Sequence, residues 1–335
     1  IVGEPTVSQP PWKAAAVGPD RTRNACVSVS KHGRSRDCRA RMAMAATFAT
    51  VGFVQILVTG GAGFIGSNLV DLLLAEGHEV KVIDDLSTGR ASNLAHLEGS
   101  IEFHEGSILD VDLVSRVVGG ADLVFHLAAA VGVRNIIEAP LRSIRTNVDG
   151  TESVLEACVR HDTRVLLAST SEIYGKALKF PMSEDDDRVI GPTHVSRWSY
   201  STSKALDEHL AFAYAAERGL RMSIVRDFNT YGPRLHQNGY GSVVASMTAQ
   251  ALADDPIVIH GDGNQTRCFG FVSDTIRGTY LAGTLDEAAW REVLAEAREN
   301  ATLGGVDEWA GLAEPDGVAI VEQELWDDTL DAFDT

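Results

Sequence analysis

The sequence predicts an α/β protein: a Rossmann-type doubly wound parallel sheet followed by a smaller C-terminal substrate-binding region. Three observations lead there. A short apolar run over 54–58 opens straight into a glycine-rich turn, Thr59–Gly66. A stretch with helical apolar spacing comes next, and then a second apolar run that ends on Asp84. Apolar runs of strand length go on alternating with helical stretches as far as Arg218. Such alternation calls for a parallel sheet covered on both faces, with ligands gathered at the carboxyl ends of the strands.

Each element has a local reason. Residues 54–58 are long and apolar enough for a buried strand. Ser67–Glu76 has the spacing of a helix and stops at Gly77, a suitable C-cap. Glu79–Ile83 reads as the second strand. Ala121–Ala129 reads as a buried strand ending in small residues, Asn147–His161 as a helix and Arg164–Ala168 as a further strand. Another helix runs over Ala205–Arg218.

The glycine turn reads GxxGxxG in this strand–turn–helix–strand setting. Gly60 permits the tight turn, Gly63 lets the backbone approach a pyrophosphate, and Gly66 lets the helix pack against the strand. The helix N-terminus then faces the phosphates. Asp84 follows Gly60 by 24 residues, close to the spacing of an acid that binds an adenosine ribose. A carboxylate there repels a 2′-phosphate and favours NAD over NADP; Asp85 adds to the repulsion, and Arg90 is the nearby cation that opposes it.

The strand ending at Ala168 is followed by Ser169-Thr170-Ser171-Glu172-Ile173-Tyr174-Gly175. Tyr200 and Lys204 stand at i and i+4 where the next helix opens, so they share a face. A tyrosine with pKa near 10 is a poor base at neutral pH. A lysine ammonium one turn away, together with a cationic nicotinamide, is expected to stabilise its phenolate. Tyr200 would then take a proton from a sugar hydroxyl, oriented by Thr170, as hydride leaves the same carbon.

These residues resemble the extended short-chain dehydrogenase/reductases, in particular the NAD-dependent nucleotide-sugar epimerase/dehydratase family, over roughly 54–285. Thr59–Gly66 matches the family's TGGAGFIG loop, including Phe64 and Ile65. Asp84–Gly89 resembles its ribose-binding segment, and Leu127, Ala128 and Ala129 the segment lining the nicotinamide side. Ser107 stands, beside Ile108, where the family commonly has an adenine-contacting Asp. Tyr200, Lys204 and Thr170 match the catalytic set, and the resemblance implies that Tyr200 and Lys204 also bind the cofactor. Asn229, in Arg226–Asn229, resembles the asparagine that contacts the sugar diphosphate; Arg267, in Gly261–Arg267, resembles the arginine that reaches the diphosphate or sugar.

The resemblance implies NAD as cofactor, oxidation of a hexose at C4, a UDP-linked nucleotide-sugar substrate and a homodimer. Ser171 and Glu172, with Ser183–Tyr200 and Arg267–Phe269, look most like UDP-glucuronate decarboxylases. In those enzymes the glutamate and the arginine serve decarboxylation. Nucleotide-sugar 4-epimerisation and 4,6-dehydration are the alternatives, and an inactive binding protein is the non-enzyme one. Dimer contacts are expected from Val148, Val154, Leu155 and Cys158 on one helix and from Ala205–Tyr214 on another. Asp227 departs from the family's aromatic or apolar residue and is expected to disturb its strand, and Tyr231 from a small apolar one.

The rest of the chain bounds these readings. The composition, 44% apolar and 23% charged over 335 residues, is that of a globular protein. A net charge of -18 argues against binding a nucleic-acid backbone. No apolar run is long enough for a membrane span. Cys26, Cys38, Cys158 and Cys268 form neither a CxxC pair nor metal-ligand spacing, as expected of reduced thiols in a cytoplasm. Four segments are expected: a disordered or spurious leader over 1–53, with Met42 or Met44 as the natural start; the NAD-binding domain with Tyr200 and Lys204 over 54–225; a partial nucleotide-sugar-binding region over 226–285; and an atypical acidic tail over 286–335, with a helix at Leu285–Asn300.

Overall fold

The computed structural model describes residues 54–285, apart from 133–135, 137, 179–181, 237–241, 260–262, 264–266 and 268. The expectations for the leader and the acidic tail lie outside the described residues.

The first βαβ unit is β1 (Gln55–Thr59), α1 (Phe64–Ala75) and β2 (Glu79–Asp84). Next come β3 (Glu102–Glu105), α2 (Val111–Val118) and β4 (Leu123–His126). A long helix, α3 (Pro140–His161), leads to β5 (Arg164–Thr170), and α4 (Trp198–Arg218) leads to β6 (Met222–Asp227). The chain continues through β7 (Asn229–Tyr231), α5 (Val243–Leu252), β8 (Phe269–Phe271) and α6 (Val272–Thr284).

Six strands form one parallel sheet in the order β3-β2-β1-β4-β5-β6. The order reverses between β1 and β4, and a crevice for a ligand opens at the carboxyl ends there. Strand periodicity sends alternate residues to opposite faces. Leu57, Val124, Val165, Leu167 and Ile224 pack with α2, α3 and α4 on one face. Ile56, Val58, Phe125, Leu166 and Val225 pack with α1 and α6 on the other. The expected covering of both faces is therefore present.

Element boundaries moved for local reasons. α1 starts at Phe64 rather than Ser67, because Gly63 already serves as its N-cap. α3 starts at Pro140, where the proline's fixed φ suits the first helical position. β6 runs unbroken to Asp227 and pairs with β5 through Thr170↔Asp227, so Asp227 does not disturb the strand; at the last rung it ends the strand at the crevice mouth. A boundary at 225 falls inside β6, and α6 packs back on α1 through Tyr280 and Ala282. Val154, Leu155 and Cys158 are fully buried against the sheet, so they are not free to contact a second copy. The outward apolar side chains of the same two helices are Leu141, Ile144, Leu206 and Phe212.

Candidate active site

The glycine turn is shaped by close approach. Gly60 has φ +72, and a Cβ on it would lie 2.8 Å from the Ala128 amide nitrogen on the neighbouring strand's exit. A Cβ on Gly66 would overlap the Gly60 carbonyl oxygen. Gly63 differs: its Cβ would meet only that same oxygen, at 3.1 Å, and is otherwise open. No side chain caps α1, so its first amides are left for another acceptor. This cradle fits a pyrophosphate at a helix N-terminus.

Asp84 is buried at the end of β2, 7% exposed. One carboxylate oxygen accepts from the Ala62 amide at 2.9 Å and the other from the Leu86 amide at 2.8 Å. Burial raises its pKa above the ordinary value, Asp85 adds to the rise and the two amides oppose it. A carboxylate has lone pairs beyond two amide bonds, so Asp84 retains acceptors for ribose hydroxyls. Arg90 is exposed, and its amide donates to the Ala62 carbonyl at 3.0 Å. Further along the crevice, the Ser107 hydroxyl accepts from the Leu109 amide at 3.3 Å, while Ile108 is buried against Gly150 of α3. Phe64, Ile65, Leu127, Ala128 and Ala129 are each partly exposed around the loop. These residues would hold a dinucleotide.

The opposite wall is built from β5, α4 and β6. Thr170 ends β5, and its hydroxyl accepts from the Glu172 amide at 3.3 Å, which fixes the turn Ser171–Tyr174. Thr170 also lies by Tyr200, where it opposes the rise that burial imposes on the phenol's pKa. Ser171 is buried, and Glu172 lies by Arg197 and Tyr200; burial raises the pKa of Glu172 and Arg197 lowers it. The structure thus brings together Thr170, Glu172 and Tyr200, with Lys204 one turn further along α4.

The electrostatics depart from the expected pairing. Lys204 Nζ lies 2.9 Å from Asp207 Oδ2, with both side chains buried. Burial pushes the Tyr200 pKa well up, and the carboxylates of Glu172, Asp207 and Asp227 push it further. Without a cationic ring beside it, the phenol therefore holds its proton. Asp227 sits next to Thr170 on the adjacent strand, in register, so both side chains leave the same side of the sheet. Burial pushes the Asp227 carboxyl up to about 7, against the pull of Lys204.

Several buried side chains frame the site. Arg226 donates twice to Glu208 of α4, at 3.1 and 2.8 Å, and once to the Tyr174 hydroxyl at 2.8 Å. This buried fork ties β6, α4 and the turn after β5 together. Asn147, fully buried in α3, accepts from the Ala130 amide at 2.7 Å and donates to Ser203 at 3.1 Å. His126 lies between Thr59, at 2.8 Å, and Thr151, at 3.0 Å; burial pushes its pKa down to about 3, so it is neutral. The acids at i+3 and i+4 from Lys204 are a readable signal for Asp207 and Glu208, since both must share its helix face.

Asn229 and Arg267 are both half-buried. Asn229 pairs with Phe269, which brings the segment just after Arg267 beside it. No group of His, Cys, Asp or Glu among the described residues could hold a metal ion. No helix of the described residues is long and apolar enough to cross a membrane.

Comparison with known proteins agrees with this geometry. The family described as the NAD dependent epimerase/dehydratase family matches residues 56–292. A UDP-N-acetyl-alpha-D-glucosaminuronate decarboxylase of Bacillus cytotoxicus is 43% identical over 240 residues, covering 72% of this chain and 74% of that protein. UDP-glucuronic acid decarboxylase 1 of Xenopus tropicalis is 39% identical over 227 residues, covering 67% of this chain and 52% of that protein. The chain thus spans about half the length of that second relative. Among solved structures, a UDP-glucuronic acid 4-epimerase from Bacillus cereus, in complex with UDP-glucuronic acid and NAD, superposes with a TM-score of 0.62. It is 33% identical, with 68% of this chain and 72% of that one covered.

Proposed function

The chain belongs to the NAD-dependent epimerase/dehydratase family, and from that premise we propose that it binds NAD and decarboxylates a UDP-linked hexuronate, UDP-glucuronate first, through transient oxidation at C4. The observation that carries this reading is that Thr170, Glu172 and Tyr200 converge, with Lys204 one turn further along the helix of Tyr200. The two decarboxylase relatives supply the substrate class.

In this reading Gly60, Gly63 and Gly66 cradle the pyrophosphate and Asp84 takes the adenosine ribose. A bound NAD supplies acceptance and return of the C4 hydride. Tyr200 removes the O4 proton while Thr170 orients that hydroxyl. The C6 carboxylate is then β to a ketone, and breaking the C5–C6 bond releases carbon dioxide. The electron pair left behind forms an enolate at O4, to which Thr170 and Tyr200 donate. C5 takes a proton from water, and Tyr200 returns its own proton to O4 once C4 is reduced. Glu172 is assigned to the decarboxylation step, Arg267 to the carboxylate or the diphosphate, and Ser171 and Asn229 to the substrate.

A 4-epimerase is the second reading, favoured by the solved epimerase that holds UDP-glucuronic acid and NAD. The two separate on one question: whether the carboxylate leaves. Mass spectrometry of UDP-glucuronate incubated with protein and NAD shows loss of carbon dioxide for the decarboxylase. An unchanged mass with an inverted C4 proton by NMR identifies the epimerase, and loss of water from UDP-glucose identifies a dehydratase. Bound NAD with no turnover on any of these sugars sinks all three.

The chain is further assigned to a homodimer formed through α3 and α4, supported by the exposed Leu141 and Leu206, 64% and 43% accessible. Light scattering at the monomer mass would overturn this. A cytoplasmic location fits the free, buried Cys158.

A further inference from the structure

We propose that Asp207 is a positioning residue: it holds the Lys204 ammonium in place and anchors it to a buried polar chain that ends on the floor of the crevice. The proposal rests on the reading that Tyr200 and Lys204 work as a pair.

The chain of contacts is continuous. Lys204 Nζ meets Asp207 Oδ2 at 2.9 Å, and side-chain exposures of 3% and 0% leave no room for water to compete. Neither Asp207 oxygen has a well-aligned hydrogen bond. Burial raises the Asp207 pKa, and the Lys204 ammonium, with the Thr151 hydroxyl of α3, opposes that rise. Thr151 is 3.0 Å from His126, His126 is 2.8 Å from Thr59, and the Thr59 hydroxyl accepts from the Ala128 amide at 3.1 Å. Ala128 is the residue against which Gly60 turns. A path of close polar contacts, hydrogen-bonded from Thr151 onward, therefore joins the lysine to the backbone over which a dinucleotide would lie.

Burying a charge pair this deeply is expensive, and removing one partner leaves the other stranded. A helix position such as 207 has no structural need of an acid, since an apolar side chain would pack on α3 at less cost. What the acid provides is a fixed place for a flexible four-carbon ammonium. Its charge also opposes ionisation of Tyr200, together with Glu172 and Asp227. The other ionisable groups around the pair are settled: Glu208 is forked to Arg226, and His126 is neutral.

The test uses the protein–NAD complex of wild type, Asp207→Asn and Asp207→Glu. The Tyr200 phenolate is followed by ultraviolet difference titration with Tyr200→Phe as the blank, and NADH affinity by fluorescence. Removing the Asp207 charge by itself lowers the Tyr200 midpoint, by about one pH unit, so the positioning role is read in the cofactor affinity. The same substitution weakens NADH binding by about 10-fold, because the lysine is no longer held. Asp207→Glu restores both in part. Asp207→Ser reads the same quantities if the amide does not pack. Unmoved NADH affinity in Asp207→Asn, whatever the Tyr200 midpoint does, would mean that Asp207 does not position the lysine and would overturn the proposal. Absence of turnover on every UDP-sugar would defeat the functional reading alone, since neither readout depends on it.

Discussion

The wall of the crevice that carries the glycine loop, β1–α1–β2, acts through backbone, whereas the wall that carries Tyr200, β5–α4–β6, acts through buried side chains. On the first wall the working atoms are amides and absent side chains: Gly60, Gly63, Gly66 and the two amides on Asp84. On the second they are Thr170, Tyr200, Lys204 and a surplus of carboxyl groups drawn from three separate elements. Backbone sites need shape and tolerate little added volume. Side-chain sites need charge balance, so one substitution can change the chemistry and leave the shape alone.

The largest effect expected from that contrast is chemical. Tyr200→Phe lowers kcat by about 10²–10⁴-fold, with NADH affinity unchanged by fluorescence titration. Equal losses in binding and turnover would mean that the two walls are not separable. The next effect is on stability. Arg226→Ala leaves Glu208 buried without its fork, which costs about 3–5 kcal/mol in urea unfolding. A loss under 1 kcal/mol would show that the fork does not hold the second wall together.

On the first wall, Gly66→Ala forces a methyl group onto the Gly60 carbonyl, at a cost of about 1–3 kcal/mol. Gly63→Ala meets far less protein. It is expected to melt near wild type and to lose NADH affinity instead. Equal melting temperatures for the two variants would contradict the close-approach argument.

The smallest effect concerns pH. Asp227 carries a pKa raised from 3.8 to about 7 by burial. Between those values the folded chain keeps a proton that the unfolded chain has released. Its contribution to stability is therefore largest below the window and is lost as pH rises through it. Asp227→Asn flattens that slope and raises Tm at pH 8 by about 2–4 °C. An unchanged slope in thermal melts from pH 4 to 8 would contradict the assignment.

The two walls also differ in what a reader of the sequence can find. The first is local: Gly60, Gly63, Gly66 and Asp84 lie in one βαβ unit, and the spacing alone places them. Thr170, Tyr200 and Lys204 were legible as a strand end and a helix face. Asp207, at i+3 from Lys204, is legible too, but Asp227 and Thr151 are not, because they reach the site only when α3, α4 and β6 pack on the sheet. Spacing placed Lys204 beside Tyr200, but the structure gives its ammonium to Asp207. The dimer face is not legible for a related reason. Periodicity marks an apolar stripe without saying which neighbour covers it, and Val154, Leu155 and Cys158 are covered by the sheet.

Incubating protein and NAD with UDP-glucuronate deuterated at C4 tests the central claim most directly. If the sugar is oxidised at C4 and reduced again after losing carbon dioxide, the product is one carbon shorter and carries deuterium at C4 by NMR. A product that keeps its carboxylate, or one that has lost carbon dioxide together with the C4 deuterium, would contradict the account.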